Sequence, residues 1–197
     1  MQAPAVVCTE ALEKLVAGNR RYAAMRQVHP RQTLAHRNTL VDGQHPFAVI
    51  LSCSDSRVPS ELIFDQGLGD LFIVRMAGHV VDDLVLASIE YAVYVLDVPL
   101  VMVLGHAQCG AVASALTNKP MPGSIGQLVQ HIHAAVESVR GQPGELLENA
   151  VRANSRLCAA QIKASSTVIR EAVQAGRVLV VPAFYDLSSG HVELLSE

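Results

Sequence analysis

The stretch FAVILSCSDSR, residues 47–57, joins an unbroken apolar run to a polar segment in which Cys53, Asp55 and Arg57 occupy alternate positions. A strand with one wet face would alternate apolar and polar residues. A short β-branched run without polar interruption fits a strand covered on both faces, the habit of parallel sheets. Three further runs share this character: Asp70–Ala77 (DLFIVRMA), Pro99–His106 (PLVMVLGH) and Arg177–Leu187 (RVLVVPAFYDL). His191–Leu195 (HVELL) follows the last of them after the turn residues Ser188, Ser189 and Gly190, which predicts an antiparallel partner.

Helical patterns fill the intervals. Thr9 can cap a helix running to about Met25, with Leu12, Leu15 and Val16 on one face, and a shorter helix is expected near Gln32–Val41, closed by Gly43. Residues 81–97 predict a helix with Leu84, Ala87, Ser88, Tyr91 and Val95 near one face. Gln108–Leu116 begins another helix, Asn118–Gly126 reads as a loop, and Gln127–Arg140 and Glu145–Ala175 read as two longer helices. The last carries Leu147, Val151, Leu157, Ile162 and Ile169 at helical intervals and stops at Gly176. Strands alternating with helices imply right-handed crossovers and an α/β fold: a central, mostly parallel sheet of four strands plus an antiparallel C-terminal edge strand, flanked by helices. The 197 residues suit a single domain, 1–197, with residues 1–45 as an N-terminal helical arm.

Half of the residues are hydrophobic, enough for a sizeable core, and neither a repeat nor a low-complexity tract is visible. The net charge of −3, without a long basic run, argues against nucleic acid as a partner. The first 15 residues have no basic region, and Glu10 and Glu13 interrupt any apolar stretch there. The most apolar later segment, residues 91–106, is cut by Asp97 and Pro99 and is too short on either side to span a bilayer. A soluble, cytoplasmic protein is expected.

Without a secretory leader, the four cysteines point to metal or catalytic use rather than to disulfides. Cys8 and Cys158 have no polar neighbours of metal-binding type and read as small buried hydrophobes. Cys53 follows the first strand, whereas His106 and Cys109 form H-x-x-C at the end of the third. Ligands of parallel sheets bind beyond the carboxyl ends of the strands, so the topology brings both segments to one rim. Two thiolates and an imidazole suit Zn2+, and three protein ligands leave a fourth position open, as in a catalytic site. Spacing alone leaves plainer readings open: a buried thiol at a strand end, and an Asp55–Arg57 surface ion pair that stabilises little.

CSDSRVPSELIFDQGLGDLFIVR (53–75) followed by VLGHAQCGAV (103–112) resembles the β-class carbonic anhydrases of bacterial type. The likeness extends through LVAGNRRY (15–22), ASIEYAV (87–93) and the C-terminal strand pair, and so covers nearly the whole chain. It implies a zinc-dependent carbonic anhydrase (a carbonate dehydratase) that interconverts CO2 and bicarbonate by attack of zinc-bound hydroxide. It implies Cys53, His106 and Cys109 as zinc ligands and Asp55 with Arg57 as a catalytic dyad that orients the water. In some relatives the matching aspartate itself binds zinc as a fourth ligand, so Asp55 is either gate or helper.

The chemistry suits these residue types. Zinc can lower the pKa of bound water from 15.7 to about 7, roughly 12 kcal/mol of preference for hydroxide. Two thiolates cancel the formal charge of the metal, so this water should acidify less readily than one held by three imidazoles, and activity should rise toward alkaline pH. An ionised Asp55 can only accept hydrogen bonds, and Arg57 can grip it through two N–H groups. The family pattern further implies Gln44, Phe72, Tyr91 and Gly110 as substrate-binding residues, the first three lining a cleft between subunits, and hence a homodimer or a tetramer built from dimers. Met76 and His79 depart from the Arg-Asn-Ala-Gly-Asn of many relatives. His79 is expected to make a structural hydrogen bond, with assistance to proton transfer as the other reading. Ile50 stands where members with a regulatory bicarbonate site carry tryptophan, so no such site is expected. Two other functions remain compatible with the sequence: hydrolysis of CS2 or carbonyl sulfide on the same fold, and a non-catalytic CO2- or bicarbonate-sensing domain of a transporter.

Overall fold

The sheet order in the computed structural model, which describes residues 4–117 and 119–196, is β2-β1-β3-β4-β5. These strands are β1 (Ala48–Ser52), β2 (Leu71–Arg75), β3 (Leu100–His106), β4 (Leu179–Tyr185) and β5 (Val192–Leu194). The first four are parallel and β5 runs antiparallel to β4, which is the sheet expected from the sequence. Every residue of β1 and β3 is buried, whereas β2, on the sheet edge, is half-buried. The apolar runs thus mark strands, but they do not separate the edge strand β2, LFIVR, from the fully buried β1 and β3.

Successive side chains of a strand point to opposite faces, and the core divides accordingly. On one face Val49, Leu51, Val101, Val103 and Val180 pack with residues of α4 (Asp83–Val95), α7 (Leu146–Ser165) and α8 (Thr167–Gln174). On the other, Ile50, Leu100, Met102, Leu104 and Ala183 meet Ala11 and Leu15 of α1 (Pro4–Ala23) and Ile63 of α3 (Ser60–Ile63). A third cluster lies at the carboxyl end of the sheet. It joins Cys53 and Cys109 to apolar residues of α5 (Gly110–Leu116), α6 (Ile125–Ser138) and α7. The remaining helix, α2 (Leu34–Thr39), is short, buries no residue and is capped by the Thr33 hydroxyl.

One expectation is completed by the structure and another is corrected. The α4 face carrying Leu84, Tyr91 and Val95 is outward, with Leu84 78 % exposed, while Val85, Ile89, Ala92 and Val93 are buried. Both faces of this helix are apolar, so periodicity alone cannot choose between them. The long helix expected over Glu145–Ala175 is two helices, broken at Ser166, whose φ of −102° and ψ of 120° are extended. Its hydroxyl accepts from the Ile169 N–H at 3.0 Å and donates to Glu90 of α4, so the break docks the second helix. Of the residues at helical intervals, Val151, Ile162 and Ile169 are buried and Leu157 is exposed. The turn α3 and a 3-10 turn at Ala77–His79 were not anticipated. Asn118, where the expected 118–126 loop begins, lies outside the described residues.

Candidate metal centre

From β1 the chain crosses to one neighbour, β2, and then returns to the other side of β1 as β3. The carboxyl ends of β1 and β3 therefore flank a topological switch point, the crevice where open α/β sheets bind ligands. Cys53 is the first residue beyond β1, His106 is the last of β3, and Cys109 is the N-cap of α5. The sulfurs of Cys53 and Cys109 and a ring nitrogen of His106 all lie within 4.8 Å of one another, and all three residues are buried.

His106 Nδ1 is 2.8 Å from the Ala107 carbonyl oxygen, which can only accept, so Nδ1 carries the proton. The lone pair of Nε2 then points into the group of sulfurs, and this buried atom has no hydrogen-bond partner. A buried polar atom left unpaired costs free energy unless something absent from protein chemistry satisfies it. Two thiols and a free imidazole lone pair at this spacing fit a divalent, sulfur-tolerant cation such as zinc. The Cys109 thiol draws the pKa of Cys53 down against the opposing effect of burial, with help from His106 and from the Gly78 N–H, 3.3 Å from Cys53 Sγ. The same pairing, together with burial, pushes Cys109 up. One proton thus leaves the pair readily and the second is held back, so a metal would have to displace that second proton.

Asp55 stands at the open side of this group, its Oδ2 3.9 Å from His106 Nε2. Arg57 holds the carboxylate by both arms, Nε to Oδ1 at 2.9 Å and Nη2 to Oδ2 at 2.7 Å, and its backbone N–H adds a third bond at 2.9 Å. The Arg57 fork keeps the Asp55 carboxyl far below the ordinary carboxylate range. Arg57 also reaches the Gln108 carbonyl, tying the loop after β1 to the loop after β3. Arg75, at the end of β2, donates to the carbonyls of Cys53 (3.0 Å) and Asp55 (2.6 Å) and braces the loop that carries both.

The chain thus brings together Cys53, Asp55, Arg57, His106 and Cys109, with Gly110 exposed just beyond Cys109. Within one chain it does not bring Gln44, Phe72 or Tyr91 to them. Gln44 is exposed and precedes β1, at the amino end of the sheet. Phe72 pairs with Val49, four residues before Cys53 or about 13 Å along the strand. Phe72 and Tyr91 do meet each other, with ring centroids 6.3 Å apart. His79 is fully buried with Nε2 beside Asn154 and Ser155, and burial pushes its pKa down to about 4, so it takes the structural part of its two readings. Met76 packs its side chain between two core clusters and needs no amide there. Sequence reasoning missed the part played by Arg75, whose side chain reaches backbone carbonyls across the sheet end, and that of the Gly78 N–H, which is backbone geometry. It also missed Asn154, whose signal was a polar residue at an inward position of an amphipathic helix.

A mostly parallel α/β sheet with a Cys-His-Cys group at its switch point defines a protein able to hold a metal ion beside an arginine-held carboxylate. The profile of the carbonic anhydrase family matches residues 48–192. Carbonic anhydrase 2 of Mycobacterium tuberculosis is 43% identical over 188 residues, 93% of this chain and 91% of that protein. The carbonic anhydrase of Mycolicibacterium smegmatis is 42% identical over 190 residues, 94% and 92% of the two chains. Among solved structures, the β-carbonic anhydrase CafA of Aspergillus fumigatus matches with a TM-score of 0.73 and 32% identity, over 94% of this chain and 90% of that one. The chain belongs to the β-class carbonic anhydrase family.

Proposed function

We propose that this protein is a zinc-dependent carbonic anhydrase that converts CO2 to bicarbonate and a proton, reversibly. Cys53, His106 and Cys109 would hold the metal, which, when bound, supplies the Lewis acidity that brings the pKa of a coordinated water toward neutrality. The other tasks fall to the chain. The Ala107 carbonyl fixes the ring of His106 with Nε2 toward the sulfurs. Asp55, ionised and acceptor-only, would take a hydrogen bond from a water at the open side and so turn a lone pair of that water toward CO2. Arg57 and Arg75 hold Asp55 and its loop in place. The observation that carries this reading is the unpartnered, buried His106 Nε2, which has two thiols within 4.8 Å and the Arg57-held Asp55 at 3.9 Å.

Gln44, Phe72 and Tyr91 would complete the CO2 pocket of a neighbouring subunit, so the active form would be a homodimer or a tetramer of dimers. The outward apolar face of α4, with Leu84, Tyr91, Tyr94 and Val95 all exposed, supports burial against a second copy. Four free cysteines suit the reducing cytoplasm.

Stopped-flow CO2 hydration by protein treated with a chelator and then restored with zinc tests the assignment. Activity should vanish, return with zinc and rise toward alkaline pH. No hydration at any pH in the zinc-loaded protein would overturn it. In the same assay, turnover of CS2 or carbonyl sulfide but not CO2 would move the assignment to hydrolysis of those substrates, and binding without turnover would make the chain a sensor.

A further inference from the structure

The turn that donates to Cys53 is held from a distant helix. Gly78 (φ 67°) and His79 (φ 45°) are consecutive left-handed residues, a conformation that side chains other than glycine rarely adopt unaided. On one side the turn is wedged against α5 and α6: a Cβ at Gly78 would lie 2.7 Å from Ile132 Cδ1 and 3.1 Å from Ala111 Cβ. On the other it is held by Asn154 of α7, which is buried, donates from Nδ2 to the Gly78 carbonyl at 2.9 Å and lies 3.0 Å from His79 Nε2. Ser155, the next residue of α7, has its hydroxyl 3.2 Å from His79 Nε2, donates to the Val151 carbonyl at 3.2 Å and packs on Gly105, where a Cβ would lie 2.4 Å from its Oγ. The product of this arrangement is a single contact at the metal-binding group, the Gly78 N–H on Cys53 Sγ at 3.3 Å.

We propose that Asn154 is a positioning residue: by fixing Gly78 it keeps a backbone N–H on Cys53 Sγ and so sets the donor strength of one metal-binding sulfur. The inference rests on the reading of Cys53, His106 and Cys109 as a metal site. An N–H bond to a thiolate withdraws charge from the sulfur and pre-orients it, so its loss should change both how tightly and how covalently the metal is held.

Cobalt(II) substituted into the full-length protein reports this directly through its thiolate-to-cobalt charge-transfer band. In Asn154→Ala the band should move to longer wavelength, and zinc affinity, measured by competition with a chelator, should fall about tenfold. Ser155→Ala removes a neighbouring buried hydrogen bond without touching Gly78; it should lower the melting temperature and leave the band and the affinity where they were. Should Asn154→Ala fail to fold, Asn154→Ser is the milder change and must shift the band in the same direction. An Asn154 variant with wild-type band and affinity, or a Ser155→Ala variant that shifts the band equally, overturns the role given to Asn154 while leaving the metal site standing. A wild-type protein without any thiolate-to-cobalt band removes the metal site and this inference with it.

Discussion

Asp55 and Asp65 are each bonded by an arginine, at 2.7 and 2.6 Å, and both carboxyls are shifted toward the ionised form, yet the two pairs serve different ends. Asp65 has a wholly buried side chain. Burial opposes its charge, but Arg21, 44 residues away, and the N–H groups of Val28 and His29 outweigh that opposition. That pair knits α1 and the following loop to the segment between α3 and β2. Asp55 takes its arginine from two residues away, and Arg57, half exposed, closes a local loop and reaches one further loop through the Gln108 carbonyl. Asp55 also faces the group of buried metal-type donors. A local, partly exposed charge pair facing such donors is the arrangement that the proposed function calls for.

The two pairs should fail in opposite ways when broken. Asp55→Ala should lower kcat by about 100-fold or more, the scale of a lost proton acceptor, with zinc content and melting temperature close to wild type. Asp65→Ala should leave Arg21 without its carboxylate and two backbone N–H groups unpaired and cost about 3 kcal/mol in denaturant unfolding, while kcat per folded molecule stays near wild type. If Asp65→Ala silences the folded enzyme, or Asp55→Ala unfolds it, the contrast is broken. A smaller effect is expected from Arg57→Lys, which keeps the charge but loses the fork. The expected result is a fall in kcat of about tenfold, less than for Asp55→Ala.

The pH dependence of stability sharpens the same contrast. A folded-state pKa depressed below its unfolded value contributes stability that is fully present above the unfolded pKa, about 3.9 for aspartate, and is lost as pH falls through the folded one. Asp65 is such a group. The stability gap between wild type and Asp65→Ala should therefore stay constant from neutral pH down to about 5 and narrow only below about 4. The baseline is the surface pair Arg140–Glu137, where both partners are largely exposed. Glu137→Ala should change unfolding free energy by less than about 0.5 kcal/mol and activity not at all.

The strands of this fold are legible because burial on both faces writes itself as an unbroken apolar run, as in Phe47–Ser52 and Pro99–His106. Their order was needed to place the site, and the alternation of strands with helices was enough to put Cys53 and His106 on one rim. The helix faces were less legible. In α4 the outward face is as apolar as the inward one, so Leu84 and Ile89 look alike in sequence although one is exposed and the other is not. The break at Ser166 was hidden because serine interrupts the helical pattern too weakly to register without the Glu90 partner that the fold brings to it. At the site, side chains that touch a metal announce themselves by chemical type. The groups that aim them, the Ala107 carbonyl, the Gly78 N–H and the Asn154 amide, belong to backbone geometry or arrive from 75 residues and more away, and residue type alone does not reveal them.

The central claim is that Cys53, His106 and Cys109 together hold a metal. Zinc-edge X-ray absorption on the protein as purified, with Cys53→Ser and Cys109→Ser beside it, tests this most directly. The account predicts one zinc per chain with two sulfur and at least one imidazole neighbour, and the loss of one sulfur or of the metal in each variant. A zinc shell without sulfur, or one that both variants leave unchanged, would contradict it.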